Sequence, residues 1–575
     1  MTFAHEAEPA RELAPPRGSI AEAAETPVGW PLPTRWVDHL LLDSTGTTFT
    51  YWGSVALVVG GLFATKILPC VDYPQHLALS DIARRLADPN APERNQFQLN
   101  YFTYNGLFHV VVAVLSSILP VELAGRLVLA ASLIATAGAV VALVRVMRRP
   151  AAHALLFVPI LFSFSVGWGF VNYVLATAVA AWTLVLIARV AIRPTPLAVF
   201  AIAALGVACA FAHVLAMLIL CAFAAALATE ASWRSESTTV ERPWRTLRIL
   251  ARVAAAVAPL LLGCIYCIQV YERQYVWDPK MYRDATIEGS SSPPWEKIVY
   301  FGAFATGLYR DGTDQIVLWG ALVIMGWAGM LAWKRRNVWD HAREATPAVV
   351  APLAVMGLAY FATPMVLVGT HLIFPRLSQW AVMGGVLAMP RILETATATA
   401  ARAWMTRLSL AAAVNTFAHC ALFGWETRDA SRLLDDLPAH RSATAVIWDP
   451  DTLTYRNGPL THLAAYYAAR KHGLWAFAFA RYLSVPVRFK ANSQPPWPAK
   501  GWEFSAEDYD PRCKYARAFP VVIIKAPDDL PRDTGGEPAV RRLVFKQDAT
   551  AVKLLSHHGR YWAFDTAGLP DDGTY

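Results

Sequence analysis

Gly106-Leu-Phe-His-Val-Val-Val-Ala-Val-Leu-Ser-Ser-Ile-Leu119, closed by Pro120, is the stretch on which the fold turns. It is apolar but only about 15 residues long, short of the roughly 20 a helix needs to cross a bilayer. Counted as a span, it inverts every later loop. Laid on the membrane surface, it makes 121–144 the first re-entry after an opening span at 50–70. The remaining spans then fall at about 152–167, 170–190, 196–212, 214–229, 250–270, 314–333, 348–369, 379–396 and 405–424. At 196–229 only His213 separates two short helices.

Positive charge decides between the two arrangements. With 106–119 on the surface, one side holds Arg145, Arg148, Arg149, Arg189, Arg193, Arg234, Arg242, Arg245 and Arg248. Lys334, Arg335, Arg336, Arg343, Arg391, Arg402 and Arg407 join them there. The short turns near 168 and 213 hold none. Such segregation marks a cytoplasmic side. The expectation is therefore a polytopic α-helical membrane protein of about 11 spans.

Composition agrees. The chain has 575 residues, 55% hydrophobic and 16% charged, with positive mean hydropathy. Its net charge of +8 is spread over short loops and reports topology, with no basic stripe of the kind that binds nucleic acid. Most of the seven cysteines lie inside apolar helices, where a thiol acts as a small hydrophobe. Cys264 and Cys267 have redox spacing, but their apolar setting makes them structural.

Three expected regions follow. Residues 1–49 are polar, rich in Pro, Ala and Glu, and read as a loose cytoplasmic tail. Residues 50–424 form the bundle, with external loops at 71–120 and 271–313. Residues 425–575 read as an extracytoplasmic soluble α/β domain. It has strand-like runs at 445–448, 485–489, 521–524, 542–545 and 552–555 and a helix near 461–471.

At the mouth of the first span stands Val71-Asp72-Tyr73-Pro74-Gln75-His76. A carboxylate at a membrane boundary is costly unless it is solvated, paired or used. Pro74 suits the first turn of a helix, with Asp72 at its start and His76 about a turn on, both able to face one cleft. Two readings stay open. Asp72 is an N-cap beside an interfacial histidine, or the pair is a catalytic base or metal-ligand set facing an outward cavity. Asp81 falls near the opposite side of that helix. Arg84 and Arg85 read as a solvated or headgroup-facing edge.

Arg376 follows Pro375 in an external turn beginning Gly369-Thr-His371. It is an interfacial anchor or a bidentate grip on phosphate, with His371 as a neighbour. His213 reads as hydrogen-bonded within the bundle, with a site role as the alternative. Gly167-Trp-Gly-Phe-Val-Asn172-Tyr173 offers an outer turn suited to a sugar or lipid cleft, or a plain aromatic belt. Asp278, Asp284 and Glu288 are further acids without a preferred spacing. Asp449 and His462 in the tail are weak candidates.

Taken together, these elements resemble the membrane glycosyltransferases of the type C fold (GT-C). The shared features are an acid in the first external loop, surface-lying segments after it, a many-helix bundle and a terminal extracytoplasmic domain. The Asp72-Tyr-Pro-Gln-His76 element and Thr461-His-Leu-Ala-Ala-Tyr-Tyr467 are similar to uncharacterised bacterial GT-C-like proteins. The resemblance implies a bacterial inner-membrane enzyme using a polyprenyl-phosphate-linked sugar donor. It implies an inverting displacement with Asp72 as general base, His76 orienting it and Arg376 on the leaving phosphate. His371, His213 and Asn172 would complete the substrate site. A divalent metal, Mg or Mn, stays open, because no Asp-Asp or Asp-x-Asp pair stands at 72. A transporter or flippase for a lipid-linked or small polar substrate is the rival class, but it expects an inverted repeat that the sequence lacks. A non-catalytic envelope scaffold is the third.

Overall fold

A computed structural model of the chain describes residues 42–236, 242–277, 292–334, 350–366, 371–390, 395–495, 501–546 and 550–569. Six helical stretches among them are long and apolar enough to cross a bilayer. They are Val121–Val146, Val171–Ile192, Val214–Ser235, Pro243–Gln274, Thr313–Leu331 and Thr397–Glu426. Shorter apolar helices run over Ala151–Gly167, Pro196–Ala212 and Val350–Ala362. The protein is a polytopic helical membrane protein.

The first span differs from its expected bounds. Helix α1 covers Thr45–Gly61, started by Ser44, whose hydroxyl accepts from the Thr47 amide at 3.2 Å. The chain then leaves the helix, and Arg126 takes up the freed carbonyls of Leu62 (3.0 Å), Thr65 and Lys66. Helix α2 (Tyr73–Arg85) follows, with Pro74 in its first turn. Helix α3 is Leu107–Leu115, nine residues. At 1.5 Å per residue it reaches less than half the roughly 30 Å hydrocarbon thickness, so it cannot cross.

Helix α4 (Val121–Val146) packs on α5 (Val171–Ile192). Helices α6 (Pro196–Ala212) and α7 (Val214–Ser235) meet at His213, which is extended at φ −167° and caps both. Helix α8 (Ile373–Ala388) begins within the segment expected as a turn, so Arg376 is helical. Arg148, Arg149 and Arg402, expected on one side, line one cavity. Asp278, Asp284 and Glu288 lie outside the described residues.

After the bundle, strands β2 (Ala443–Ile447), β4 (Val521–Lys525), β5 (Lys553–His558) and β6 (Tyr561–Asp565) form one sheet in the order β2-β4-β6-β5. Only β2 and β4 are parallel. Alternation along β4 sorts the core. Val521 and Ile523 join the apolar cluster continuous with the bundle, whereas Val522 and Ile524 pack with Trp502 and Phe564 on the other face. Helix α9 (Leu463–Lys471) lies against α2. The run 542–545, expected as a strand, is the end of helix α10 (Glu537–Phe545). Val540 and Val544, one turn apart, point inward there, and a four-residue window hides that periodicity.

Strand β3 (Val487–Phe489) pairs antiparallel with β1 (Phe97–Leu99) in the first loop. Asn100 extends the seam to the Leu483 and Val485 carbonyls at 2.9 and 3.1 Å. The first loop and the tail therefore share one side of the bundle.

Candidate functional site

Asp72 is held by backbone on one side and by a histidine on the other. Its amide and that of Val71 donate to the Trp168 and Gly167 carbonyls, each at 3.0 Å. This clamp explains the glycine-rich turn. Gly169 has φ +75°, and a Cβ there would lie 2.5 Å from the Tyr73 nitrogen, a contact only glycine avoids. The Asp72 carboxylate makes no cap hydrogen bond to α2, so the N-cap reading fails. It turns instead to His462, whose Nε2 lies 3.2 Å from Oδ1.

The other ring nitrogen of His462, Nδ1, meets Glu503 Oε1 at 3.0 Å. Burial alone would drive the proton off this ring, but its hydrogen bonds to the Asp72 and Glu503 carboxylates outweigh burial and raise the pKa to about 9. His462 is therefore an imidazolium strung between two carboxylates at neutral pH. Gln75 locks the surroundings. Its Oε1 accepts from Trp475 Nε1 at 2.7 Å and from the Phe479 amide at 3.2 Å, and its Nε2 donates to the Phe477 carbonyl at 3.0 Å.

His76 lies on the same helix in a different setting. Its Nδ1 is 3.0 Å from His109 Nε2, and His109 Nδ1 is 2.9 Å from the Asn105 carbonyl. A carbonyl only accepts, so His109 donates from Nδ1, accepts at Nε2, and receives the His76 Nδ1 proton. His76 Nε2 is then a lone pair without a partner among the described residues. Burial and then the neighbouring histidines push the His76 pKa well below the usual value, and burial pushes His109 down to about 3. The His76 ring thus meets His109, while the Asp72 carboxylate meets His462; only the His76 backbone amide bonds to Asp72, at its carbonyl, at 3.3 Å.

Arg376 is 6% exposed and, among the described residues, has no carboxylate hydrogen-bonded to it. Its Nη2 donates to the His371 carbonyl and its Nη1 lies against His213 Nε2, both at 3.1 Å, while Nε has no partner. The guanidinium rests on the Phe170 ring, 3.7 Å from its centroid. Tyr173 fixes the helix beneath by donating to the Arg376 carbonyl at 2.7 Å. Asp72 is near enough to interact with Arg376 electrostatically. The 167–170 turn is their common wall, clamping Asp72 at one end and carrying Arg376 on Phe170 at the other.

The other expected residues divide. His213 has Leu215 N–H at 3.2 Å from Nδ1 and the Arg376 guanidinium at 3.1 Å from Nε2, and a neutral ring can accept from only one of these donors. His371 contributes its backbone carbonyl, and its side chain is exposed. Asn172 gives its carbonyl to the Phe108 amide at the start of α3 at 3.2 Å, leaving a buried amide without a partner. Arg84 and Arg85 are no solvated edge, since both pair with buried Asp81 at 2.8 and 2.9 Å. Asp449 sits beside Lys525 instead of the site. Glu503 escaped the sequence reading because no local pattern marks it.

Among the described residues no group of three His, Cys, Asp or Glu side chains is gathered to hold a metal. His462 Nε2 faces the Asp72 carboxylate, and its Nδ1 faces both the Glu503 carboxylate at 3.0 Å and the Gln75 amide nitrogen at 3.2 Å, so protein groups already fill the positions a metal would take. These residues do not fit a divalent ion, and no step below runs through one.

No family model matches the chain, and no curated protein matches it in sequence. Among solved structures it is similar to ArnT from Cupriavidus metallidurans, in the apo state and bound to undecaprenyl phosphate. Identity is 12% in both cases, over 91% of this chain and 98% of the other, with TM-scores of 0.44 and 0.47. At that depth the likeness assigns no residue a role.

Proposed function

We propose that the protein is a membrane glycosyltransferase that moves a sugar from a polyprenyl phosphate to a hydroxyl on a lipid, glycan or protein outside the inner membrane. The observation that carries this reading is an unfinished pair. Asp72 Oδ2 and Arg376 Nε, on two sides of the 167–170 turn, both lack partners among the described residues. A buried cation without a carboxylate is costly and invites an anion, and a half-buried carboxylate with one open oxygen can take a proton from a donor.

The chemistry follows from that pair. The acceptor hydroxyl gives its proton to Asp72 Oδ2 as its oxygen bonds to the anomeric carbon. The bond from that carbon to the phosphate oxygen breaks, and the electron pair leaves with the polyprenyl phosphate. Arg376 meets the growing negative charge, a stabilisation strongest in the transition state. His462, held between Glu503 and Asp72, donates to Asp72 Oδ1 and fixes its rotamer. Displacement from the face opposite the phosphate inverts the anomeric centre.

The test is transfer of labelled hexose or pentose from polyprenyl-phosphate donors by the full chain in liposomes. Asp72→Asn should cost roughly 10²–10⁴ in rate while the folded protein persists. Undiminished transfer by that variant would remove Asp72 as the base. Absence of transfer by the wild type from every such donor would remove the reading itself.

A further inference from the structure

Asp81 lies nine residues beyond Asp72, half a revolution round α2, and faces a separate cavity of about 860 Å³. None of Asp72, His462, Glu503 and Arg376 lines it. Five basic residues, Lys66, Arg84, Arg126, Arg470 and Lys471, face three acids there, Asp81, Glu122 and Asp435. The acids are taken. Asp81 holds Arg84, Arg85 and His472, and Arg470 bridges Glu122 and, at 3.1 Å, Asp435.

Three cations remain without a carboxylate among the described residues, of which Lys471 donates to the Asp435 backbone carbonyl at 2.6 Å. Arg126 is 8% exposed and bonded to backbone carbonyls alone, and Lys66 has no side-chain partner among the described residues. Ser116 adds a buried hydroxyl on the cavity wall with no partner. The 26-residue helix α4 opens onto the same space from Pro120, with no side chain capping its first amides. Such a helix start attracts negative charge. Phe63 and Leu123, at 45% and 37% exposed, give the cavity an exposed apolar rim.

We infer that this cavity is a second anion site, built to hold a phosphate group carried by a membrane lipid or free in solution. Lys66 and Arg126 supply the charge, and Ser116 and the α4 amides supply the hydrogen bonds. The site works whether or not Asp72 is a catalytic base.

Binding of dioleoyl phosphatidic acid and of dioleoylglycerol, which lacks the phosphate, separates headgroup from tail. The measurement is native mass spectrometry on the full chain in detergent, as wild type and as Arg376→Gln. Phosphatidic acid should stay bound in both and dioleoylglycerol in neither. Lys66→Glu, at an exposed position, should weaken phosphatidic acid at least tenfold, and Ser116→Ala about threefold. Displacement by millimolar inorganic phosphate identifies a soluble source, and resistance to it identifies a lipid one. Equal retention of the two lipids, undiminished binding by Lys66→Glu, or loss of all binding in folded Arg376→Gln would overturn the inference.

Discussion

His462 and His76 flank one ring, that of Phe479, at centroid distances of 5.5 and 5.8 Å, and both are buried, yet they carry different charges. On the tail side the imidazole lies between Asp72 and Glu503 and keeps its proton to about pH 9. On the α3 side the imidazole faces His109 and Phe108 and stays neutral. Burial pushes both the same way. Partners reverse it in one case only, so the protonation of a buried histidine is decided by what its two nitrogens meet.

The largest effect concerns stability on the alkaline side. The folded-state pKa of His462 lies above the ordinary 6.5, so its stabilisation is complete below about pH 6.5 and is lost as pH rises through about 9. From that shift it amounts to roughly 3 kcal/mol. Thermal midpoints in detergent should fall between pH 7 and 9.5, and His462→Gln should flatten the fall. An equally steep fall in the variant would break the contrast.

Next comes Glu503→Gln, which leaves His462 with one carboxylate. Its proton should then come off closer to neutrality. Transfer should drop about tenfold at pH 8 and much less at pH 6, moving the alkaline limb of the pH–rate profile downward. A uniform loss at all pH values would make Glu503 merely structural.

On the acid side the sign reverses. His76 and His109 have depressed folded-state pKa values, so their contribution is present above pH 6.5 and is lost as pH falls below it. The midpoint should decline from pH 6.5 to 5, and His109→Phe should make that decline shallower.

Much of the frame was legible because it is local. Hydropathy marked the long helices, the length of 106–119 kept it from crossing, and Pro74 marked the start of α2. Asp72 and Arg376 stood out as charges where charges are expensive. What stayed hidden depends on distance along the chain. His462 lies 390 residues from Asp72, and Glu503 further still, with no spacing to announce either. The His462 contact with Asp72 was hidden for the same reason, since proximity in sequence favoured His76 over a partner that only the folded tail supplies. The early end of α1 likewise depends on Arg126, whose bonds to the Leu62, Thr65 and Lys66 carbonyls no local window contains.

The ribbon of β1 and β3 has a consequence for how the molecule is made. It joins residues near 98 to residues near 488, and His462 reaches Asp72 across the same interval. At roughly 5–20 residues per second, the 390 residues between Asp72 and His462 take about 20–80 s to synthesise. Throughout that delay the carboxylate has been translated but its imidazolium has not. A nascent chain holding every helix of the bundle still lacks His462 and Glu503, and a truncation anywhere before Glu503 leaves the His462 ring without that second carboxylate.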